Sequence, residues 1–358
     1  MRRSVATLLT SVALAACGSP DGETRRFGPS KDATFPARRG TVLAEGCALD
    51  GGQRATLADQ ATKRVVREVV LMCLSVSEGG GVSPSDPGER AAVLATIAYV
   101  RAEGYRASLG LVLGDAWSAP YPSERSAKLL ADPASRQATT DALGTWITEI
   151  DGLDVALWPL PWRSRDDATA FVTAIANLVR PAISLAVHVP PSTTTPSDLP
   201  GGDAFDVASL SQVTDRVRVT TLDYSTVDSP GPTVDPGWAV DAVRRAASFD
   251  ARAALDVSLP LYGWDFARGA ATSVTASEAN AVCASHRASV TRGASGAPRC
   301  AFDDGGTHHD VFFDDTSSLT LDLAAWEEKT LSRDVGVLFW GLGAEDPTLF
   351  RAIAAGQR

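Results

Sequence analysis

Eight short apolar runs recur along the chain, at residues 40–44, 69–76, 108–114, 153–157, 183–189, 217–222, 254–259 and 335–340. The second, Val-Val-Leu-Met-Cys-Leu-Ser-Val, is nearly all apolar, as a strand must be when both of its faces are covered. Helical periodicity fills the gaps. Over residues 86–103, Ala91, Leu94, Ala95, Ala98 and Tyr99 share one face, and Gly104 is the stop. Further helices are predicted over 139–150, from Asp166 and Asp167 to Val179 with a halt at Pro181, over 238–247 and over 348–355. Strands and helices alternating eight times predict an α/β fold, the (β/α)8 TIM barrel, as one domain over 40–358. The competing arrangement is an open doubly wound sheet. No Gly-x-Gly-x-x-Gly follows the first run, so neither nucleotide nor other cofactor is expected.

The segment ahead of the barrel has a different character. Arg2 and Arg3 precede an apolar stretch from Val5 to Ala16 that ends Leu14-Ala15-Ala16-Cys17-Gly18. A basic start, a short apolar core and small residues before a cysteine are the pattern of a bacterial lipoprotein signal over 1–17, with lipidation on Cys17. That core is too short to span a bilayer as a resident helix. Residues 18–39, rich in Gly, Ser, Pro and charge, read as a flexible tether. The expected location is the cell envelope, lipid-anchored in the outer membrane and facing the periplasm or exterior.

Four cysteines remain beside Cys17, an even count that suits two disulfides in an oxidising compartment. Cys283 and Cys300 flank one excursion, and Cys47 and Cys73 lie near the ends of the first two runs, so those are the expected pairs. No Cys-x-x-Cys or His/Cys ligand spacing suggests zinc. A formal net charge of -10 repels phosphate backbones and argues against a nucleic-acid partner. A monomer is expected.

The fourth run carries a pattern of its own: Asp151-Gly152-Leu153-Asp154-Val155-Ala156-Leu157-Trp158. It resembles the Asp-Gly-x-Asp-x-Asp-x-Glu strand of glycoside hydrolase family 18, the family of chitinases and spore-cortex hydrolases. Late segments add to the resemblance, to the spore-germination branch in particular. Pro260-Leu-Tyr-Gly-Trp-Asp265 is similar to Pro-Leu-Tyr-Gly-Tyr-Asp-Trp in that branch, and Val311-Phe-Phe-Asp-Asp315 with Ser317 to its Val-Trp-Phe-Glu-Asp-x-x-Ser. Gly336-Val-Leu-Phe-Trp-Gly-Leu-Gly343 with Glu345-Asp346 matches its closing Trp-x-Leu-Gly-x-Glu-Asp. The resemblance implies a small insertion between strands seven and eight, about 266–318, with a helix over 277–287 and a hairpin.

It also implies a substrate-assisted mechanism, in which the sugar's N-acetyl carbonyl attacks the anomeric carbon, the Glu protonates the leaving oxygen and the third Asp orients the acetamide. Ala156 stands at that Asp and Trp158 at that Glu. A general acid contributes about 10²–10⁴-fold, so standard hydrolysis is expected to be absent and the protein to be a pseudoenzyme. The family's Tyr-Asp pair after strand six is Leu222-Asp223 here, followed by Tyr224, which points the way of Leu222 if the strand continues.

Sugar binding is the function that remains. Trp340 matches the tryptophan that floors the family's central sugar subsite, and Trp117, Trp158, Tyr262, Trp264 and Tyr224 fall at strand ends, where barrel sites gather. The expected partner is an N-acetylglucosamine-containing polysaccharide, peptidoglycan or chitin. The alternatives are an active glycosidase with a displaced acid and a structural envelope lipoprotein. Carboxylates at strand ends are Glu45, Glu78, Asp115, Asp223 and Asp265, of which Asp115 and Asp223, with Asp154 of the fourth run, are the candidate catalytic groups. In the plain structural reading Asp151 and Asp154 bond loop amides, the other carboxylates are solvated, His188 is a satisfied barrel histidine, and the acids and histidines of 303–315 form a solvated hairpin rather than a metal site.

Overall fold

A computed structural model gives the fold, describing residues 40–356 apart from 85, 117–118, 193–201, 249–252 and 330–334. The leader, the tether, Cys17 and Trp117 thus lie outside the described residues.

Eight parallel strands form the barrel: β1 Gly40–Glu45, β2 Val66–Val76, β3 Arg106–Ala116, β4 Gly152–Ala156, β5 Ser184–Val189, β6 Arg216–Val219, β7 Ala254–Pro260 and β8 Gly336–Trp340. Each pairs with its successor, and β8 returns to β1 with Gly40 opposite Val337 and Leu43 opposite Trp340. That last pairing closes the sheet and rules out the open doubly wound alternative. Outward side chains such as Val69, Leu71, Leu109, Leu153, Val155 and Val217 pack against the helices in the large core, which is why the runs read as continuously apolar. Both expected disulfides are formed, Cys47–Cys73 between the ends of β1 and β2 and Cys283–Cys300 within the insertion.

Three of the surrounding helices start the same way. Asp86, Asp132 and Asp235 each accept a backbone N–H of the first turn, and each is followed by a proline at the first helical position. This device moves one boundary: the helix expected over 139–150 runs Pro133–Gly144, then a single turn at Ile147–Glu149. The sixth strand is also shorter than its apolar run. It stops at Val219, and the chain turns at Asp223, whose φ of 56° lies in the left-handed region.

The insertion is larger than one hairpin. Its five antiparallel strands run in the order Ala270–Thr275, Tyr262–Ala267, Thr307–Phe312, Pro298–Asp304, Thr291–Arg292, with the helix Ala276–Ser285 against them. Two tight turns with positive φ at both central residues, Arg268-Gly269 and Gly305-Gly306, make the hairpins. Its acids and histidines pair off separately: His308 with Asp303, His309 with Asp265, Arg299 with Asp310 and Arg292 with Asp315. Among the described residues, no group of three or more His, Cys, Asp or Glu side chains is placed to hold a metal.

Candidate functional site

Alternate residues of each strand point into the barrel, and they fill it in two layers. The lower layer is ionic. Arg218 of β6 sits at its centre, with Nη1 donating to Asp256 Oδ2 at 2.7 Å, Nε 2.7 Å from Asp154 Oδ2 and Nη2 donating to Glu68 Oε2 at 3.1 Å. Glu68 belongs to β2 and Arg218 to β6, which share no ladder, so that bond crosses the interior. Burial alone would push the guanidinium's pKa down, but attraction to Asp154, Asp256 and Glu68 more than offsets it and the net shift is upward. For Asp154 burial pushes up, Arg218 and then His188 pull down, and the result is a lowered pKa. His188 Nε2 stands 3.0 Å from Asp154 Oδ2. Burial lowers the imidazole's pKa against the pull of Asp154, so the ring is neutral at neutral pH and donates from Nε2.

The upper layer is apolar and aromatic. Leu43, Met72, Val112, Ala156, Leu222 and Leu338 surround Trp340 and Tyr262, while Trp158 and Trp264 are partly exposed at the rim. Trp158 and Trp340 have ring centroids 6.1 Å apart, and the His188 ring completes a triangle at 5.7 Å from Trp158 and 5.8 Å from Trp340. Two carboxylates fix this aromatic wall. Glu45 Oε1 accepts from Trp340 Nε1 at 3.0 Å, and Asp223 Oδ1 accepts from both Tyr262 Oη and Trp264 Nε1 at 2.9 Å. Burial of the Asp223 carboxyl raises its pKa, although those two donors pull the other way. Tyr262 is pushed well above the usual phenol range by burial and by Asp223.

Trp158, Tyr262, Trp264, Trp340 and Asp223 therefore meet at one mouth, and the other expected site residues among those described, Asp154, Asp115 and Tyr224, do not join them. Asp154 is only 1% exposed, beneath that mouth, with Arg218 and His188 on its carboxylate. It holds the ionic layer together instead of carrying a proton to a substrate or bonding loop amides. Asp151 does bond backbone, accepting from Ala107 N at 2.9 Å, and it also pairs with Arg101. Asp115 accepts from Tyr121 Oη at 2.8 Å and faces Arg125 on the helix after β3 rather than the aromatic wall. Tyr224 turns away at the Asp223 bend and packs on Trp238, with ring centroids 5.3 Å apart.

Two roles were not drawn from the sequence. The first is Glu45 as the acceptor for Trp340; its place two residues past Leu43 put it on the inward phase of β1. The second is Arg218 as the hub of the ionic layer, its signal being an arginine inside the apolar run 217–222, with Arg216 just ahead of it.

Solved structures with the same barrel place this arrangement. The spore cortex-lytic enzyme SleL of Bacillus cereus aligns with a TM-score of 0.73 at 15% identity, covering 90% of this chain and 75% of that one. A chitinase of Chromobacterium violaceum aligns at 0.74 and 18%, covering 89% and 99%. The fold is that of a family 18 glycoside hydrolase. A third family 18 barrel, a mutant GH18 chitinase of Cycas revoluta solved in complex with (GlcNAc)4, aligns at 0.68 and 14%, covering 88% of this chain and 98% of that one. No protein-family model and no curated protein matches the sequence. In this barrel, Ala156 ends β4 and Trp158 follows two residues on, both packed in the aromatic layer of the mouth.

Proposed function

We propose that this chain is an exported, lipid-anchored protein whose barrel mouth binds an N-acetylglucosamine-containing polysaccharide of the peptidoglycan type, without the standard family hydrolysis. The observation that carries the reading is the packing of Trp158 against Trp340 and His188 in the mouth. Indole faces suit the C–H faces of pyranose rings, and the neighbouring carboxylates Glu45 and Asp223 offer acceptors for hydroxyls. Trp158 occupies the position of the family's acid and has no proton to give a leaving oxygen at neutral pH. The Cycas chitinase complex with (GlcNAc)4 lends the same barrel type a matching ligand.

Co-sedimentation with insoluble peptidoglycan and with chitin tests the reading. Wild-type protein is expected to be retained, and Trp340→Ala to weaken retention about tenfold or more, since an aromatic contact contributes about 0.5–1.5 kcal/mol beyond its area burial. Trp264→Ala, at the more exposed rim, is expected to weaken retention without disturbing the fold. Retention unchanged in both variants would place the cleft elsewhere. No retention of the wild type on either polymer would favour the structural-lipoprotein reading.

A second reading rests on Asp223. A carboxyl of raised pKa, at a left-handed backbone position beside the aromatic wall, has the features of a displaced general acid. Release of muropeptides or chito-oligomers by the wild type, abolished by Asp223→Asn, would establish that reading and defeat the pseudoenzyme. The export step has its own check. Cys17→Ala is expected to abolish incorporation of labelled palmitate and move the protein out of the membrane fraction; a membrane-bound, unlabelled wild type would sink the lipoprotein assignment.

A further inference from the structure

Beside the mouth, outside the ladder of β5 and β6, lies a cavity of about 110 Å³. Its floor is apolar, made by Val189 and Val219 at the ends of the two strands and by Ala242 of the helix Pro236–Ala247. Its collar is polar. Arg245 Nε donates to Ser192 Oγ at 2.9 Å, and Ser192 Oγ donates to Asp203 Oδ1 at 3.1 Å. On the other side Arg165 lies 3.4 Å from Asp206 Oδ1. Two guanidiniums and the Asp203 carboxylate thus ring an apolar floor.

This composition selects among ligands. A bare anion would meet Asp203 as well as the arginines, and a neutral sugar would leave the arginines with nothing to recognise. A group that carries a carboxylate, an N–H donor and a small apolar side chain satisfies all three parts: the carboxylate at Arg245 and Arg165, the N–H at Asp203, the side chain on the valines. The carboxyl-terminal residue of a short peptide is such a group. The volume sets its size, because a cavity of roughly 150 Å³ accommodates benzene, so the occupant here is an alanyl-sized unit rather than an aromatic one.

The position ties the cavity to the mouth. Four residues beyond Trp158, the turn Trp162–Ser164 packs against Gly202–Ala204, and Gly202 and Asp203 line the cavity. Trp162 stands on this bridge with 76% of its surface exposed, the most exposed large apolar side chain among the described residues. A glycan in the mouth would thus run beside Trp162 with its substituents reaching the cavity.

We infer that this cavity receives the carboxyl-terminal alanyl unit of the peptide stem that peptidoglycan carries and chitin lacks, and so directs the barrel toward peptidoglycan. The inference rests on the glycan reading of the mouth. Isothermal titration with an N-acetylmuramyl tetrapeptide whose stem ends in a free D-alanine carboxylate and, separately, with (GlcNAc)4 tests it on the full chain. The wild type is expected to bind both. Arg245→Gln and Asp203→Asn are each expected to weaken the muramyl tetrapeptide about tenfold and leave (GlcNAc)4 unchanged, the second ligand reporting that the fold is intact. If the wild type binds (GlcNAc)4 but not the tetrapeptide, or the variants lose neither ligand or both equally, the stem-peptide cavity is overturned while the glycan reading stands. Failure of the wild type to bind either ligand overturns both.

Discussion

Arg218→Met is expected to destabilise the barrel by about 3–5 kcal/mol, the usual cost of breaking a buried ion pair by removing one partner. The methionine fills most of the volume, so the loss is electrostatic rather than a cavity effect. Glu68, Asp154 and Asp256 would remain inside, none more than 6% exposed, with their central cation gone. Arg216, which donates to Asp256 Oδ1 at 2.6 Å, would hold one of the three but reaches neither of the others in the wild-type arrangement. The urea midpoint of unfolding reads this out. Adding Asp154→Asn to Arg218→Met is expected to recover part of the loss, because it removes one orphaned charge; the coupling in a double-mutant cycle isolates that pair. A single variant that loses under about 1 kcal/mol would mean that the interior carboxylates are protonated or hydrated and that Arg218 is not the hub.

The second large effect is a dependence of stability on pH with the opposite sign to that of most carboxylates. Asp314, at the exit of the insertion, and Asp322, on the helix Thr316–Lys329, are each only 1% exposed. Asp314 accepts from Ser318 Oγ at 2.9 Å through Oδ1, whereas its Oδ2 and Asp322 Oδ1 have no partner among the described residues. Burial first, then the Asp315 charge, pushes Asp314 up to about 7 against the pull of Ser318 and Arg292. Burial, then the charges of Asp314 and Asp235, pushes Asp322 up to about 8.

In the unfolded chain both groups titrate near 4. Between about pH 4 and pH 8 the folded protein therefore holds more protons than the unfolded one, and stability falls as pH rises. Each group contributes a slope of up to about 1.4 kcal/mol per pH unit within that window. With about 2–4 °C of Tm per kcal/mol in a domain of this class, Tm should drop by several degrees per unit between pH 5 and 8 and level off above. Asp314→Asn with Asp322→Asn is expected to flatten that slope and to raise Tm above wild type at pH 8, with little difference at pH 4. A wild-type Tm that is flat or rising from pH 5 to 8, or a double Asn variant no more stable at pH 8, would show that these carboxyls are not held protonated. Asp154 works in the other direction. Its lowered pKa means that the stability it contributes is present above about pH 4 and is lost as acid protonates it.

The barrel was legible in the residue pattern alone, because a strand covered on both faces must be apolar throughout and a surrounding helix must show its stripe. Both patterns are local, and eight repetitions leave few ways to bury them. The disulfide pairs were legible for a similar reason, Cys283 and Cys300 lying 17 residues apart and Cys47 and Cys73 lying 26 apart at neighbouring strand ends. The resemblance also put Trp158 and Trp340 at the ends of their strands. Which inward side chains meet is settled by folding. Trp340 finds its acceptor, Glu45, 295 positions away in the chain, and Arg218 finds Glu68 at 150. No local pattern encodes such a partner, since barrel closure and strand register select it. The bend at Asp223 is likewise a tertiary outcome, where the demand of Tyr262 and Trp264 for an acceptor is met at a left-handed residue and Tyr224 is carried out of the mouth.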